Sequence, residues 1–145
     1  MNTLKAETNF NEMQTALIIS QDAEIVSVWE ALFQQKNCSV ICETSAHDAL
    51  QTARLLSPAL IVLNLDLPHL ELLALCRELR TTTQGTLLLL TPKRKKQEIF
   101  DYYNAGVDEH LTTPISPMAL LIKSMAWMMR QEWVIPRTQS ANIYA

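Results

Sequence analysis

The sequence predicts an α/β fold, an open parallel sheet with helices on both faces, and three observations carry that prediction. Short apolar runs alternate with stretches in which apolar residues recur every three or four positions. The cycle repeats five times with connections of a few residues, and parallel strands need such crossovers. One run, Leu60-Ile61-Val62-Leu63, is apolar without alternation, as a strand covered on both faces must be.

The first cycle opens with Ala16-Leu17-Ile18-Ile19, too short for a helix, and Asp22 follows as an N-cap. Ile25, Val28, Trp29, Leu32 and Phe33 form the stripe of a helix buried on one side. Ser39-Val40-Ile41-Cys42 reads as the second strand. Ser45-Ala46-His47-Asp48 resembles a capping box, and Ala46, Ala49, Leu50 and Ala53 give a small-residue helix face that Ser57-Pro58 ends. The run at 60–63 is expected to be the most central strand. After the turn Asp66-Leu67-Pro68-His69, Leu72, Leu75, Cys76 and Leu79 mark a third helix, and residues 81–85 read as a polar loop. The fourth strand is 87–90, and the charged helix after it is expected to bury Ile99, Phe100 and Tyr103 and to close at Gly106. The fifth strand is 109–112. Ser116-Pro117 supplies an N-cap and a proline at the first helical position, and Leu121, Ile122, Met125 and Met128 carry the last helix to about Arg130.

Five strands are too few for an eight-stranded barrel, so right-handed crossovers lead to a flavodoxin-like, doubly wound three-layer α/β/α arrangement of strand order 2-1-3-4-5. Residues 15–131 form the expected domain, with a flexible segment 1–14 before it and a linker or tail 132–145 after it. The functional crevice of such a sheet lies at the carboxyl ends of the strands. That rule selects Ser20, Gln21, Asp22, Asn64, Asp66, Thr91, Thr112 and Thr113.

Composition narrows the function. The chain has 145 residues, 48% hydrophobic and 19% charged, enough apolar material for one core. A net charge of -3 gives no global attraction to nucleic acid, and 2 glycines leave no glycine-rich phosphate cradle. An odd count of 3 cysteines argues for a reducing compartment, so a cytoplasmic location is expected. The amino-terminal residues carry Lys5, Glu7 and Glu12 without an apolar stretch, unlike a signal peptide or anchor, and no apolar run approaches the ~20 residues of a membrane span.

Three segments, 58–68 (Pro-Ala-Leu-Ile-Val-Leu-Asn-Leu-Asp-Leu-Pro), Leu90-Thr91-Pro92 and 104–114 (Asn-Ala-Gly-Val-Asp-Glu-His-Leu-Thr-Thr-Pro), resemble a response-regulator receiver domain, and the likeness runs from about Thr15 to Arg130. The resemblance implies phosphoryl transfer from a histidine kinase to an aspartate ending the third strand, with magnesium held by an acidic pair after the first. Aligned by motif, the acceptor position holds Asn64, the acidic pair Ser20 and Gln21, and the phosphate-pairing lysine Thr113, while Thr91 keeps the switch hydroxyl and His110 stands at the aromatic switch position. An amide is no nucleophile for phosphoryl transfer, and magnesium requires hard anionic oxygens. The chain is therefore expected to be a degenerate, non-enzymatic receiver with no cofactor. Two alternatives stand beside it: Asp66 as a surrogate acceptor, with Asp22 completing the acidic pair, and a small-ligand sensor in the vacated pocket of Ser20, Gln21, Asn64, Thr91 and Thr113.

The remaining polar features have plainer readings. Cys38, Cys42 and Cys76 with His47, His69 and His110 lack the spacing of a zinc site, so no metal is expected. Lys93-Arg94-Lys95-Lys96 reads as a solvated loop or an anchor for an acidic partner, and His110 as a surface residue of an edge strand. Met118, Met125, Trp127, Met128, Met129 and Trp133 make a stripe too wide for one buried helix face. In the family, the fourth helix, fifth strand and fifth helix form the usual dimer face. A homodimer or a signalling-protein partner is expected there, with Asp101, Tyr102, His110, Lys123, Trp127 and Arg130 on the face. No DNA-binding pattern occurs in the chain, so transcriptional control would need an output domain.

Overall fold

The computed structural model describes residues 14–133, with side chains up to Arg130. The elements run β1 (Gln14–Ser20), α1 (Ala23–Gln35), β2 (Cys38–Glu43), α2 (Ala46–Leu56), β3 (Leu60–Asn64), α3 (His69–Thr82), β4 (Thr86–Thr91), α4 (Lys96–Asn104), β5 (Glu109–Thr112) and α5 (Pro117–Trp133). All strand pairs are parallel and the order is β2-β1-β3-β4-β5, as the sequence predicts.

Period-two alternation along the strands divides the core in two. Leu17, Ile19, Ile61, Leu63, Leu87 and Leu89 face α2, α3 and the Tyr102 side of α4. Ala16, Ile18, Leu60, Val62, Leu88 and Leu90 face Trp29 and Phe33 of α1 and Leu120, Leu121 and Met128 of α5. The helices start where short polar side chains catch free N–H groups. Asp22 accepts from Ile25 at 3.2 Å, Ser45 from Asp48 at 3.2 Å and Ser116 from Ala119 at 3.0 Å. Gly106, at φ 111°, closes α4 where a side chain would be strained.

Several expected helix faces are rotated. On α4, Phe100 is 61% and Tyr103 43% exposed, whereas Tyr102 is wholly buried. Apolar residues at 99, 100, 102 and 103 span more than one groove, and the hydroxyls decide the rotation: Tyr102 reaches His69 and Tyr103 accepts the His110 N–H. On α1, Val28 is exposed and Val26 takes its place; on α5, Ile122 is exposed and Leu120 buried. The expected loop at 81–85 begins two residues late, because Thr81 and Thr82 donate back to the carbonyls of Glu78 and Leu79 and stay helical. Gln14 belongs to β1, and α5 runs past Arg130 so that Glu132 and Trp133 are helical. The rest of the expected leading segment and tail lies outside the described residues.

At the amino-terminal end of the sheet, Arg80 ties α3 to the approaches of β4 and β5. Its guanidinium donates to the carbonyls of Gly106 at 3.0 Å, Thr83 at 2.8 Å and Gly85, and to Asp108 at 3.1 Å. Asp108 also accepts the Leu87 N–H at 2.8 Å. This cluster leaves the opposite, carboxyl end of the strands to carry the site.

Candidate functional site

Ser20 and Asn64 end β1 and β3 in direct register, which brings their side chains together. The Asn64 Nδ2 donates to Ser20 Oγ at 3.1 Å, and the Asp22 N–H donates to the same oxygen at 3.1 Å. Both acceptor sites of that hydroxyl are thus occupied. The Asp22 carboxylate serves the first turn of α1. Gln21 is exposed and donates to the Thr44 carbonyl at 3.3 Å, towards the start of α2. Asp66 does not share the Asn64 face, because β3 stops at Asn64, Leu65 turns into the core and Asp66 stands exposed. Of the expected pocket residues, Ser20 and Asn64 meet, while Gln21 and Asp66 do not join them.

The second half of the crevice lies on β4 and β5. Thr91 is buried, and its hydroxyl lies 2.7 Å from the Pro92 carbonyl and in hydrogen-bond contact with His110 Nε2 at 2.6 Å. The Thr113 N–H binds the Thr91 carbonyl at 2.8 Å, Thr112 is exposed, and the Thr113–Pro114 peptide is cis. His110 is thus not the surface residue expected of an edge strand. Its ring is half-buried and stacks on Tyr102, centroids 6.3 Å apart at 29°. Burial, and secondarily the Arg94 guanidinium, push the His110 pKa down, because both disfavour the imidazolium.

Tyr102 extends this column. Its hydroxyl lies 2.9 Å from His69 Nδ1 and the two rings meet edge to face. His69 in turn lies 3.7 Å from Glu98 and 3.4 Å from Asp101. Arg94 points inward from the basic loop, donating to the Leu67 carbonyl at 3.5 Å and approaching Glu98 at 4.0 Å, while Lys93, Lys95 and Lys96 are exposed. Burial raises the Tyr102 pKa, and it drives the Cys76 thiol up to about 12. Sequence reasoning missed His69 and Arg94 as neighbours of the site. The one available signal was the spacing of Glu98, Asp101 and Tyr102, which lines a single face of α4, with Arg94 just before the helix.

The expected partner face divides. Lys123 and Trp127 both donate to Glu109 at 2.9 Å, and Arg130 lies 5.2 Å over the Trp127 ring. Beside them Met118, Ile122 and Met129 are exposed along α5. Tyr102 is absent from this surface because it is buried, Asp101 turns to His69 and Gln97, and His110 turns to Thr91. Cys38 and Cys76 are buried and Cys42 is exposed; among the described residues no cluster of three His, Cys, Asp or Glu side chains forms a metal-binding group. No helix among the described residues is long and apolar enough to cross a membrane.

Comparison with known proteins agrees with this geometry. The response regulator receiver domain family matches residues 16–124. The chain is 27% identical over 127 residues to the alkaline phosphatase synthesis transcriptional regulatory protein PhoP of Bacillus subtilis, covering 87% of this chain and 53% of that one. It is 32% identical over 117 residues to protein PetR of Rhodobacter capsulatus, covering 79% and 48%. The chain thus spans about half the length of the curated relatives it matches. Among solved structures, a CheY-like receiver domain from Methanospirillum hungatei superposes with a TM-score of 0.76 at 20% identity, covering 83% of this chain and 98% of that one. A two-component response regulator from Clostridium difficile gives 0.74 at 22%, covering 84% and 100%. With the match extending over most of the described fold, the chain belongs to the response regulator receiver domain family, the signal-receiving module of two-component systems.

Proposed function

We propose that this receiver domain transmits its signal without phosphoryl transfer, through contact with a second copy or a signalling partner. The observation that carries the reading is the Asn64 amide bonded to Ser20 Oγ at 3.1 Å, where the family motif places an ionised nucleophile. An amide nitrogen gives its lone pair to the carbonyl and cannot attack phosphorus. The residues in the magnesium positions do not fit a divalent cation either. Ser20 Oγ is uncharged and already accepts two N–H groups, Gln21 offers a neutral amide whose Nε2 turns to the Thr44 carbonyl, and Oδ1 of the Asp22 carboxylate caps α1. Thr113 supplies no charge to a phosphate. In the vacated pocket Ser20 bonds to Asn64, but Gln21 turns to Thr44 and the Thr91 hydroxyl to Pro92 and His110, so these side chains do not converge on a small ligand.

The contact surface in this reading is α4–β5–α5. Phe100, Tyr103, Met118 and Ile122 are each at least 43% exposed there, and the Lys123–Glu109–Trp127 group borders them. Since the curated relatives are transcriptional regulators about twice as long, the output we propose is transcriptional control through a further domain. The test is incubation with acetyl phosphate and magnesium followed by intact mass measurement. No added phosphoryl mass is expected. An adduct that disappears in Asp66→Ala would replace this reading with a phosphorylated receiver that uses Asp66.

A further inference from the structure

We propose that α5 is a displaceable helix: its buried face closes over polar groups that find no partner there, so it lifts from the sheet and from α1 as a unit while the rest of the fold stays intact. The proposal is independent of whether the crevice takes phosphate.

Its basis is where the unsatisfied groups fall. Among the described residues, three buried side-chain polar atoms lack a hydrogen-bond partner: Trp29 Nε1, Thr86 Oγ1 and Ser124 Oγ. All three belong to the layer between the sheet, α1 and α5. Trp29 is part of that core cluster. Thr86 stands level with Leu60 in the sheet, on the face that Leu88 and Leu90 also present to the layer. Ser124 lies one helical turn from Leu120 and Leu121 on one side and from Met128 on the other, in the middle of the buried stripe of α5. Thr86 and Ser124 are 0% exposed and Trp29 2%. The other buried hydroxyls, those of Ser20, Thr83, Thr91 and Tyr102, are all bonded. Burial strips the three orphaned groups of water and returns no hydrogen bond.

Connectivity decides which element yields. α1 is joined to β1 and β2 at its two ends, whereas α5 is joined to a strand, among the described elements, at its amino end alone. On its outer edge one residue fastens it: Glu109 accepts from Lys123 and Trp127, each at 2.9 Å. Lifting α5 sacrifices the burial of Leu120, Leu121 and Met128, but it hydrates Ser124 and uncovers the layer that holds Thr86 and Trp29. Opening therefore takes less free energy than for a helix on a wholly apolar seat. The outward side of α5 exposes Met118, Ile122 and Met129, so a contact made there acts on the helix that is least firmly seated.

The experiment is amide hydrogen exchange on the 145-residue chain, read residue by residue by NMR. Amides of residues 121–128 should exchange at least about tenfold faster than those of residues 29–33 in α1 and 61–63 in β3. Thr86→Val, close to isosteric and apolar, should slow the exchange of α5 by about tenfold, because the seated state no longer buries an unpaired hydroxyl. Thr86 is not part of α5, so a change in the helix's own propensity cannot produce that result. Ser124→Ala should slow it as well. Exchange of residues 121–128 in step with 61–63, as in global unfolding alone, would overturn the proposal. So would α5 exchange that Thr86→Val or Ser124→Ala leaves unchanged or speeds.

Discussion

Replacing Arg80 by methionine probes the physical account where the structure allows a magnitude. The Arg80 side chain is 18% and the Asp108 side chain 7% exposed, and their ion pair closes at 3.1 Å. Methionine keeps most of the aliphatic stem but removes the cation from Asp108 and the donors from the Gly106, Thr83 and Gly85 carbonyls. Stranding one member of a buried ion pair costs about 3–5 kcal/mol, a large part of the roughly 5–15 kcal/mol that stabilises a domain of this size. With a urea dependence of about 2 kcal/mol per molar, the unfolding midpoint should fall by about 2 M. Chemical denaturation followed by circular dichroism measures it, and Asp108→Asn in the same chain should recover part of the loss by removing the stranded charge. Because the cluster lies at the end of the sheet opposite Thr91, the His110 titration should be unchanged in the folded variant. A loss below about 1 kcal/mol would refute the reasoning, since it would mean that water satisfies these groups as well as the guanidinium does.

Four further outcomes follow. Gly106→Ala should destabilise by at least about 1 kcal/mol in thermal melts, because φ is 111° and a Cβ there would lie 2.4 Å from Arg80 Cγ. Tyr102→Phe should cost about 1 kcal/mol by removing the hydroxyl bonded to His69, with little change in packing. Burial pushes the Glu109 carboxyl up, but hydrogen bonds from Trp127 and Lys123 and the Lys123 charge outweigh it and hold the carboxyl below its ordinary value. Its contribution is therefore complete above the unfolded glutamate range and is lost as pH falls through the folded value; Glu109→Gln should flatten that acid-side slope in denaturation measured across pH. For the proposed contact between two copies, Ile122→Asp, at a position 62% exposed, should leave the fold intact and move sedimentation at high micromolar concentration towards the monomer. An unchanged dimer would place the interface elsewhere.

The fold was legible because each level of the sequence repeats the same message. The unbroken Leu60-Ile61-Val62-Leu63 run sits at the centre of the sheet, and the Asp22, Ser45 and Ser116 caps open their helices where the spacing predicts. The Ser20–Asn64 contact was legible too, since both residues end adjacent strands. What escaped depends on contacts distant in sequence. Nothing local to α4 selects Tyr102 over Tyr103 for burial; the choice is made by His69, which is 33 residues away. Nothing in the strand period reveals that Gln21 turns to Thr44, 23 residues on, because periodicity ends with the strand. His110 reads as an edge-strand surface residue until β4 presents Thr91 as its hydrogen-bond partner.

The central claim is that the crevice at Ser20 and Asn64 no longer holds a divalent ion. Titrating the isotope-labelled chain with paramagnetic manganese, a magnesium surrogate, tests it most directly through the relaxation of the Ser20, Asn64 and Thr91 amides. The account predicts no site-specific broadening at these amides in the millimolar range. Saturable broadening centred on Ser20 and Asn64, competed away by magnesium and lost when Asp22 and Asp66 are both replaced by asparagine, would contradict it.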